Sequence, residues 1–389
     1  MKKLLIIEDD PVITRIYCTL FQTSGYSVET ADDGEKALQA LQQSDFDAVI
    51  LDLGLPKVNG IEVLKQIRAN DRTKKLPVIV FSNAYVGKLL EDAWRAGATK
   101  CIPKATCAPR QLVEIMDQVL KDQTPAPAAA APAHRPMLPL GSTLDTQFED
   151  QIRRSFLDQA PHAVASLREM LASITKASPD DRQNQLVAIC RKVHTLTGNA
   201  AIVGFVTVAQ LLSALESLLK ELYLKPKNVN ASTLRTVANA IDFLPTLIES
   251  VAGGPHVPLP SPLILVLDDD VISRRTVCSA LELANLRSVS VKDPAAAFVL
   301  LEENRFDLIF SDVEMPGMDG FQFCAHLRTL PAHKDTPVVF VTSLSSFETR
   351  AKSVLSGGTD LIGKPFLLVE LAVKALVQVS RRQLAKKNP

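Results

Sequence analysis

The chain has 389 residues, 47% of them hydrophobic, and its 43 lysines and arginines balance 43 aspartates and glutamates to zero formal charge. That length supports two or three domains able to bury their own cores, and the charge balance gives no sign of a nucleic-acid or anionic-membrane partner. The opening MKKLLIIEDD stops being apolar at Glu8, too early for a signal peptide, and no window reaches the roughly 18 apolar residues of a membrane span, so a cytoplasmic protein without membrane insertion is expected.

Residues 1–121 predict five short apolar strands, at about Leu4–Ile7, Ser27–Thr30, Ala48–Leu51, Val78–Phe81 and Lys100–Ile102. Helical patterns such as Val12–Thr23 and Gly60–Ala69 lie between them. Strands apolar on both faces that alternate with helices imply an α/β doubly wound parallel sheet covered on both sides. Residues 122–142, rich in Pro and Ala, read as an extended linker. Residues 143–252 carry no strand signal and repeat apolar side chains at three and four spacing. An all-α antiparallel helical bundle is the expected fold there. A second linker, rich in Pro and Gly, covers 253–262.

Residues 263–389 repeat the first segment. KKLLIIEDDPVITRIYCTLF returns as PLILVLDDDVISRRTVCSAL, and DFDAVILDLGLPKVNGIEVLKQIR as RFDLIFSDVEMPGMDGFQFCAHLR. The chain therefore reads as two five-stranded α/β domains flanking a helical one. The six cysteines (Cys18, Cys101, Cys107, Cys190, Cys278, Cys324) show neither CxxC pairing nor metal-ligand spacing and are expected to be reduced, mostly buried thiols.

In an open parallel sheet, function sits outside the carboxyl ends of the strands. Those ends carry Glu8, Asp9 and Asp10, then Asp52, Ser82 and Lys104 in the first copy. The second copy carries Asp268, Asp269 and Asp270, then Asp312, Thr342 and Lys364. The spacings agree: 43 residues from Asp9 to Asp52 and from Asp269 to Asp312, 30 onward to the hydroxyl, 22 onward to the lysine. Clustered carboxylates repel unless a cation shares the site, and an all-oxygen ligand set with room for phosphate oxygens suits Mg²⁺. An aspartate between that cation and a lysine is placed to attack phosphorus.

On these residues both copies resemble response-regulator receiver domains of two-component signalling, over roughly Lys2–Lys121 and Leu263–Lys387. The resemblance implies flavodoxin-like folds, with Asp52 and Asp312 as phosphoacceptors. It implies one Mg²⁺ per receiver, held by Glu8, Asp9, Asp52 and the Gly54 carbonyl, and by Asp268, Asp269, Asp312 and the Glu314 carbonyl. Ser82 and Thr342 would sense the phosphoryl group, and Lys104 and Lys364 would hold it. The family's switch aromatic is replaced by Cys101 and Leu361, and Ala105 stands where the second copy has Pro365.

The central segment holds HTLTGNA, with Gly198 four residues after His194. Glycine inside a helix costs roughly 1 kcal/mol against alanine. One turn from a histidine on the same face it leaves the imidazole clear for a flat partner. HTLTGNAAIVGF followed by LLSALESLL resembles histidine phosphotransfer (HPt) domains over about Leu144–Ala252, with Thr197 where that family often has a lysine. His194 is then the implied phosphoryl carrier. The other histidines (His134, His162, His256, His326, His333) are assigned to linkers or polar faces without a role.

Together the resemblances imply a phosphorelay protein exchanging phosphoryl groups between Asp52, Asp312 and His194, served by a sensor histidine kinase and by other receiver or HPt proteins, with a receiver-mediated homodimer as one form. No Walker motif or glycine-rich nucleotide lid is visible, so the chain is expected not to be an enzyme in its own right. The alternative reading is a signalling adaptor or phosphate sink whose receivers control partner binding.

Overall fold

The computed structural model describes residues 1–82, 92–104, 107, 109–121, 143–174, 178–252, 261–343 and 352–387. The linker expected at 122–142 and most of the one at 253–262 lie outside the described residues, as do Ala105, His134 and His256. The chain divides into two compact units, Met1–Ala163 with Lys192–Ser213 and Val164–Arg191 with Ala214–Pro389.

The first unit contains a five-stranded parallel sheet of β1 (Lys3–Ile7), β2 (Ser27–Ala31), β3 (Ala48–Leu51), β4 (Val78–Ser82) and β5 (Lys100–Pro103), in the order β2-β1-β3-β4-β5. The predicted strands agree with these to within a residue at each end. Around the sheet lie α1 (Pro11–Thr23), α2 (Gly34–Gln43), α3 (Gly60–Ala69) and α4 (Pro109–Lys121). Alternate strand residues feed two cores: Leu4, Ile6, Ile50, Ile79 and Phe81 on one face, Leu5, Ile7, Val49, Leu51 and Val80 on the other. Asp33 and Asn59 cap α2 and α3 by accepting from Lys36 N and Glu62 N, satisfying donors that the helix leaves open.

Four helices follow: α5 (Thr143–Ile174), α6 (Pro179–Ile202), α7 (Val206–Leu224) and α8 (Ala231–Ala252). Among the described residues this middle region is helical apart from its turns. In the first unit Phe205 meets Phe156 edge to face at 5.5 Å and lies under the Arg153 guanidinium. In the second unit α6 and α7 run antiparallel, since Gln183 Nε2 donates to the Tyr223 carbonyl and Cys190 Sγ to that of Glu216.

The second unit repeats the sheet with β6 (Leu263–Leu267), β7 (Arg287–Val291), β8 (Leu308–Asp312), β9 (Val338–Thr342) and β10 (Asp360–Gly363), in the order β10-β9-β8-β6-β7. Its helices are α9 (Val271–Leu283), α10 (Pro294–Glu303), α11 (Gly320–Leu327) and α12 (Leu368–Lys387). Helix α12 packs against both α9 and α8. Buried Glu370 accepts from Ser232 Oγ at 2.7 Å and Thr236 Oγ1 at 3.1 Å, both on α8. Lys374 ties α12 to β10 through Asp360 at 2.6 Å. No helix among the described residues is long and apolar enough to cross a membrane.

Two glycines have the same steric reason in the two sheets. A Cβ on Gly60 would lie 2.2 Å from the Asp52 carbonyl oxygen, and one on Gly320 would lie 2.1 Å from that of Asp312. Only glycine lets the following helix start against the backbone of the aspartate. His333 differs from its assignment to a polar face: it is buried, with Nε2 3.0 Å from the Leu301 carbonyl and Nδ1 3.3 Å from Thr336 Oγ1. Its counterpart in the first copy is buried Thr73, which donates to the Ile67 carbonyl. Burial depresses the His333 pKa, against the Leu301 and Asn304 carbonyls, which favour the charged ring.

Two outcomes follow from this packing. Gly60→Ala drives a methyl into a carbonyl and lowers stability by about 1–3 kcal/mol, read as a lower urea midpoint. A histidine held neutral when folded binds its proton only after unfolding, so stability contributed by His333 is present above pH ~6.5 and falls as pH drops below it. Denaturation at a series of pH values checks this, and His333→Gln flattens the slope.

Candidate functional site

The strand order places the ends of β1 and β3 side by side, where the winding of the sheet reverses and leaves a crevice. In the first unit Glu8 and Asp9 follow β1, Asp52 follows β3, Ser82 ends β4 and Lys104 follows β5. Lys104, 2% exposed, donates to Glu8 Oε2 and to Asp52 Oδ2, each at 2.6 Å. The Asp52 carboxylate also accepts from Gly54 N at 3.2 Å and from Ser82. Burial pushes the Asp52 pKa up, but the Lys104 and His194 charges and these hydrogen bonds outweigh it and hold the carboxyl below its usual range. Asp52 is therefore ionised at neutral pH. Burial would likewise depress the Lys104 ammonium, yet Asp52 and Glu8 hold it above its usual range.

Glu8 is pushed up to about 7, chiefly by burial, with Lys104 opposing and Asp52 reinforcing the rise. Its Oε1 is buried and has no hydrogen-bond partner. Asp9 is exposed, and burial of its carboxyl with the neighbouring Asp52 charge raises its pKa. Ligand atoms of Glu8, Asp9, Asp52 and His194 all lie within 4.8 Å of one another. Three carboxylates around one ammonium leave an excess of negative charge, and the unpartnered Glu8 oxygen is a ready donor. The set fits a hard divalent cation. Asp10, the third acid of the run, accepts from Ile13 N at 3.1 Å and caps α1 instead.

His194 belongs to this site. Its Nε2 lies 3.8 Å from Asp52 Oδ2, just outside hydrogen-bond reach, and its side chain is 15% exposed. The sequence led us to expect a bare ring awaiting a partner; the first receiver-like sheet already covers it. Val193 and Leu196 are buried, as their positions off that face require. At Gly198 α1 comes very close: a Cβ there would lie 2.2 Å from Ile13 Cδ1. Thr197 is fully buried and donates to the Val193 carbonyl at 2.8 Å, so it is turned into its own helix and is no stand-in for a lysine beside the ring.

The second unit assembles the matching residues with different contacts. Lys364 donates to Asp268 Oδ2 at 3.0 Å and to Asp312 Oδ2 at 2.7 Å. Asp268, Asp269 and Asp312 have ligand atoms within 4.8 Å of one another. Here both Asp268 oxygens are engaged, one by Asp270 N and the other by Ser273 Oγ and Lys364. Burial raises the Asp312 pKa, with Lys364 opposing. Asp312 Oδ1 accepts from Val313 N and Glu314 N. Thr342 is buried at the end of β9, Glu314 is exposed, and Asp270 caps α9 as Asp10 caps α1. Cys101 and Leu361 are half-buried on the edge strands and pack against the cores. All six cysteines are free thiols.

The response regulator receiver domain model matches residues 4–117 and 264–376, and the Hpt domain model matches 151–252. The transcriptional regulatory protein CpxR homolog of Haemophilus influenzae is 39% identical over 106 residues, 27% of this chain but only 44% of that relative's length. Chemotaxis protein CheY-3 of Vibrio cholerae is 34% identical over 120 residues, 31% of this chain and 92% of the relative. The solved structure of Vibrio cholerae CheY4 is 32% identical and covers 31% of this chain and 99% of its own, with a TM-score of 0.29. A receiver match at each end, with an Hpt match between them carrying His194, makes this chain a member of the response regulator receiver family and a two-component phosphorelay protein.

Proposed function

We propose that this protein passes a phosphoryl group between receiver aspartates and His194 in a Mg²⁺-dependent relay downstream of a separate sensor histidine kinase. One observation carries the reading: the separation of 3.8 Å between His194 Nε2 and Asp52 Oδ2, which leaves space for one phosphorus on the line between nucleophile and leaving group. In the direction from histidine to aspartate, the Nε2–P bond breaks and its electron pair stays on Nε2 of a ring whose Nδ1 carries the proton, so that neutral imidazole leaves. The ionised Asp52 carboxylate supplies the pair for the new O–P bond. The reverse step restores the carboxylate.

Lys104 pairs the charge that grows on the transferring oxygens, and Ser82 is a hydroxyl donor to the same oxygens. Glu8, Asp9 and Asp52, with the Gly54 carbonyl, are the ligands proposed for Mg²⁺. Asp268, Asp269 and Asp312, with the Glu314 carbonyl, are those of the second receiver. Bound Mg²⁺ would neutralise phosphoryl oxygen charge. In the second receiver Lys364 and Thr342 take the parts of Lys104 and Ser82. The chain acts as carrier and acceptor, and the ATP chemistry belongs to the partner kinase.

Labelled phosphate supplied by a histidine kinase and ATP tests the relay. Alkali-stable label at His194 and alkali-labile label at Asp52 and Asp312 are expected, and His194→Gln stops label reaching one of the aspartates. Chelation of divalent cations abolishes exchange. Unchanged aspartate labelling in His194→Gln, with partner binding still tied to phosphorylation, would establish the adaptor reading instead.

A further inference from the structure

His194, Gly198 and Ile202 recur every fourth residue and form one stripe along α6. Each faces a different part of the first receiver. His194 reaches Asp52 at 3.8 Å. Gly198 leaves a hollow that Ile13 Cδ1 enters so closely that a Cβ would stand 2.2 Å from it. Ile202 packs against the core cluster that contains Ile13 and Tyr17. Ile13 is itself 1% exposed. Residue 54 also borders the site: a Cβ there would stand in ordinary contact, 3.7 Å from Asp52 Oδ2 and 3.9 Å from His194 Cε1. Any longer side chain at 54 would extend from a point already in contact with both reacting groups.

The repeat, offset by 260 residues, sets Ser273 against Ile13 and Glu314 against Gly54. Ser273 has no apolar tip for the hollow, and its hydroxyl is spent on Asp268 Oδ2 at 2.5 Å. Its neighbour Arg274 donates to the Asp268 carbonyl at 2.6 Å. Glu314 is exposed beside Asp312, where its carboxylate would meet the negative charge of a phosphorylated histidine. The two receivers thus share their acids, hydroxyl and lysine but present opposite surfaces to an approaching imidazole.

We propose that Ile13 and Gly54 are specificity-determining positions that make Asp52, and not Asp312, the phosphoryl exchange partner of His194 within this chain. The inference rests on the relay reading and adds the choice between the receivers. Ile13 acts by positioning: it sets how the Gly198 turn seats, and through it the distance between Nε2 and the Asp52 carboxylate. In this exchange Nε2 first gives its proton to water; the Oδ–P bond of phosphorylated Asp52 then breaks, its pair returning to the carboxylate, while the freed Nε2 lone pair forms the N–P bond and the proton on Nδ1 stays on the ring.

A small labelled acyl phosphate, which donates to receiver aspartates directly, separates acceptor competence from docking in the full-length chain. With Asp312→Asn, alkali-stable label is expected to appear at His194; with Asp52→Asn it appears at least tenfold more slowly for equal aspartate labelling. Adding Ile13→Ser to Asp312→Asn slows His194 labelling about tenfold while Asp52 still accepts label from the small donor, Ile13→Val preserves the rate, and Gly54→Glu lowers the His194 label counted per labelled Asp52. Equal passage to His194 from either aspartate, or an Ile13→Ser chain as fast as its parent, overturns the inference and leaves the relay standing. Labelled aspartates with no label at His194 in any chain overturn the relay reading and the inference with it.

Discussion

A lysine held between two carboxylates, buried in the first receiver and half-buried in the second, is the constraint around which each is built. Lys104 sits 2.6 Å from both Glu8 and Asp52, and Lys364 spans Asp268 and Asp312 in the same way. Taking three charges out of water is expensive, and such a cluster stabilises a fold little compared with apolar side chains of similar volume. Removing one member would strand the others. The strand order accepts this arrangement because it brings the ends of β1, β3 and β5 to one edge, and the glycines at the start of α3 and α11 let those helices close against the aspartate backbone.

The consequence for chemistry is an aspartate kept ionised in a buried site. Burial alone would raise the Asp52 pKa; Lys104 and His194 reverse that. Glu8 lacks such compensation for its second oxygen and sits near neutrality. The asymmetry leaves two neighbouring carboxylates in different states, one held ionised by its partners and one pushed up by burial. In the second receiver Ser273 already satisfies Asp268, and Asp312 lies above its usual range, so the same residue types give a differently tuned pocket.

The Hpt segment shows how one missing side chain can order a contact. Glycine at 198 weakens α6 locally, but the hollow it makes is filled by Ile13, and the next turn adds Ile202 to the apolar contact. In the second unit, α12 lies against α8 through the Glu370 hydrogen bonds to Ser232 and Thr236 and through Arg381 stacked over Phe243. Its apolar residues Leu371, Val373, Leu376 and Val377 are buried within the chain.

The sheets and the acid-hydroxyl-lysine sets were legible from sequence, because strands buried on both faces read as continuous apolar runs and the internal repeat doubled every spacing. The cap role of Asp10 and Asp270 was not read from the sequence: the run of acids grouped them with the site, and only the structure shows them accepting from Ile13 N and Ser273 N. His333 was missed: a lone histidine between loop residues looks polar, and only its alignment with buried Thr73 signals otherwise. The glycine beside His194 announced an access route, but a pattern along one helix holds no information about what arrives from another. Only the packed chain decided that Ile13 fills the hollow, that Thr197 turns inward, and that Asp52 and the imidazole meet at 3.8 Å. Periodicity and spacing are local to the backbone, whereas a contact between residues 13 and 198 exists only once both elements are folded.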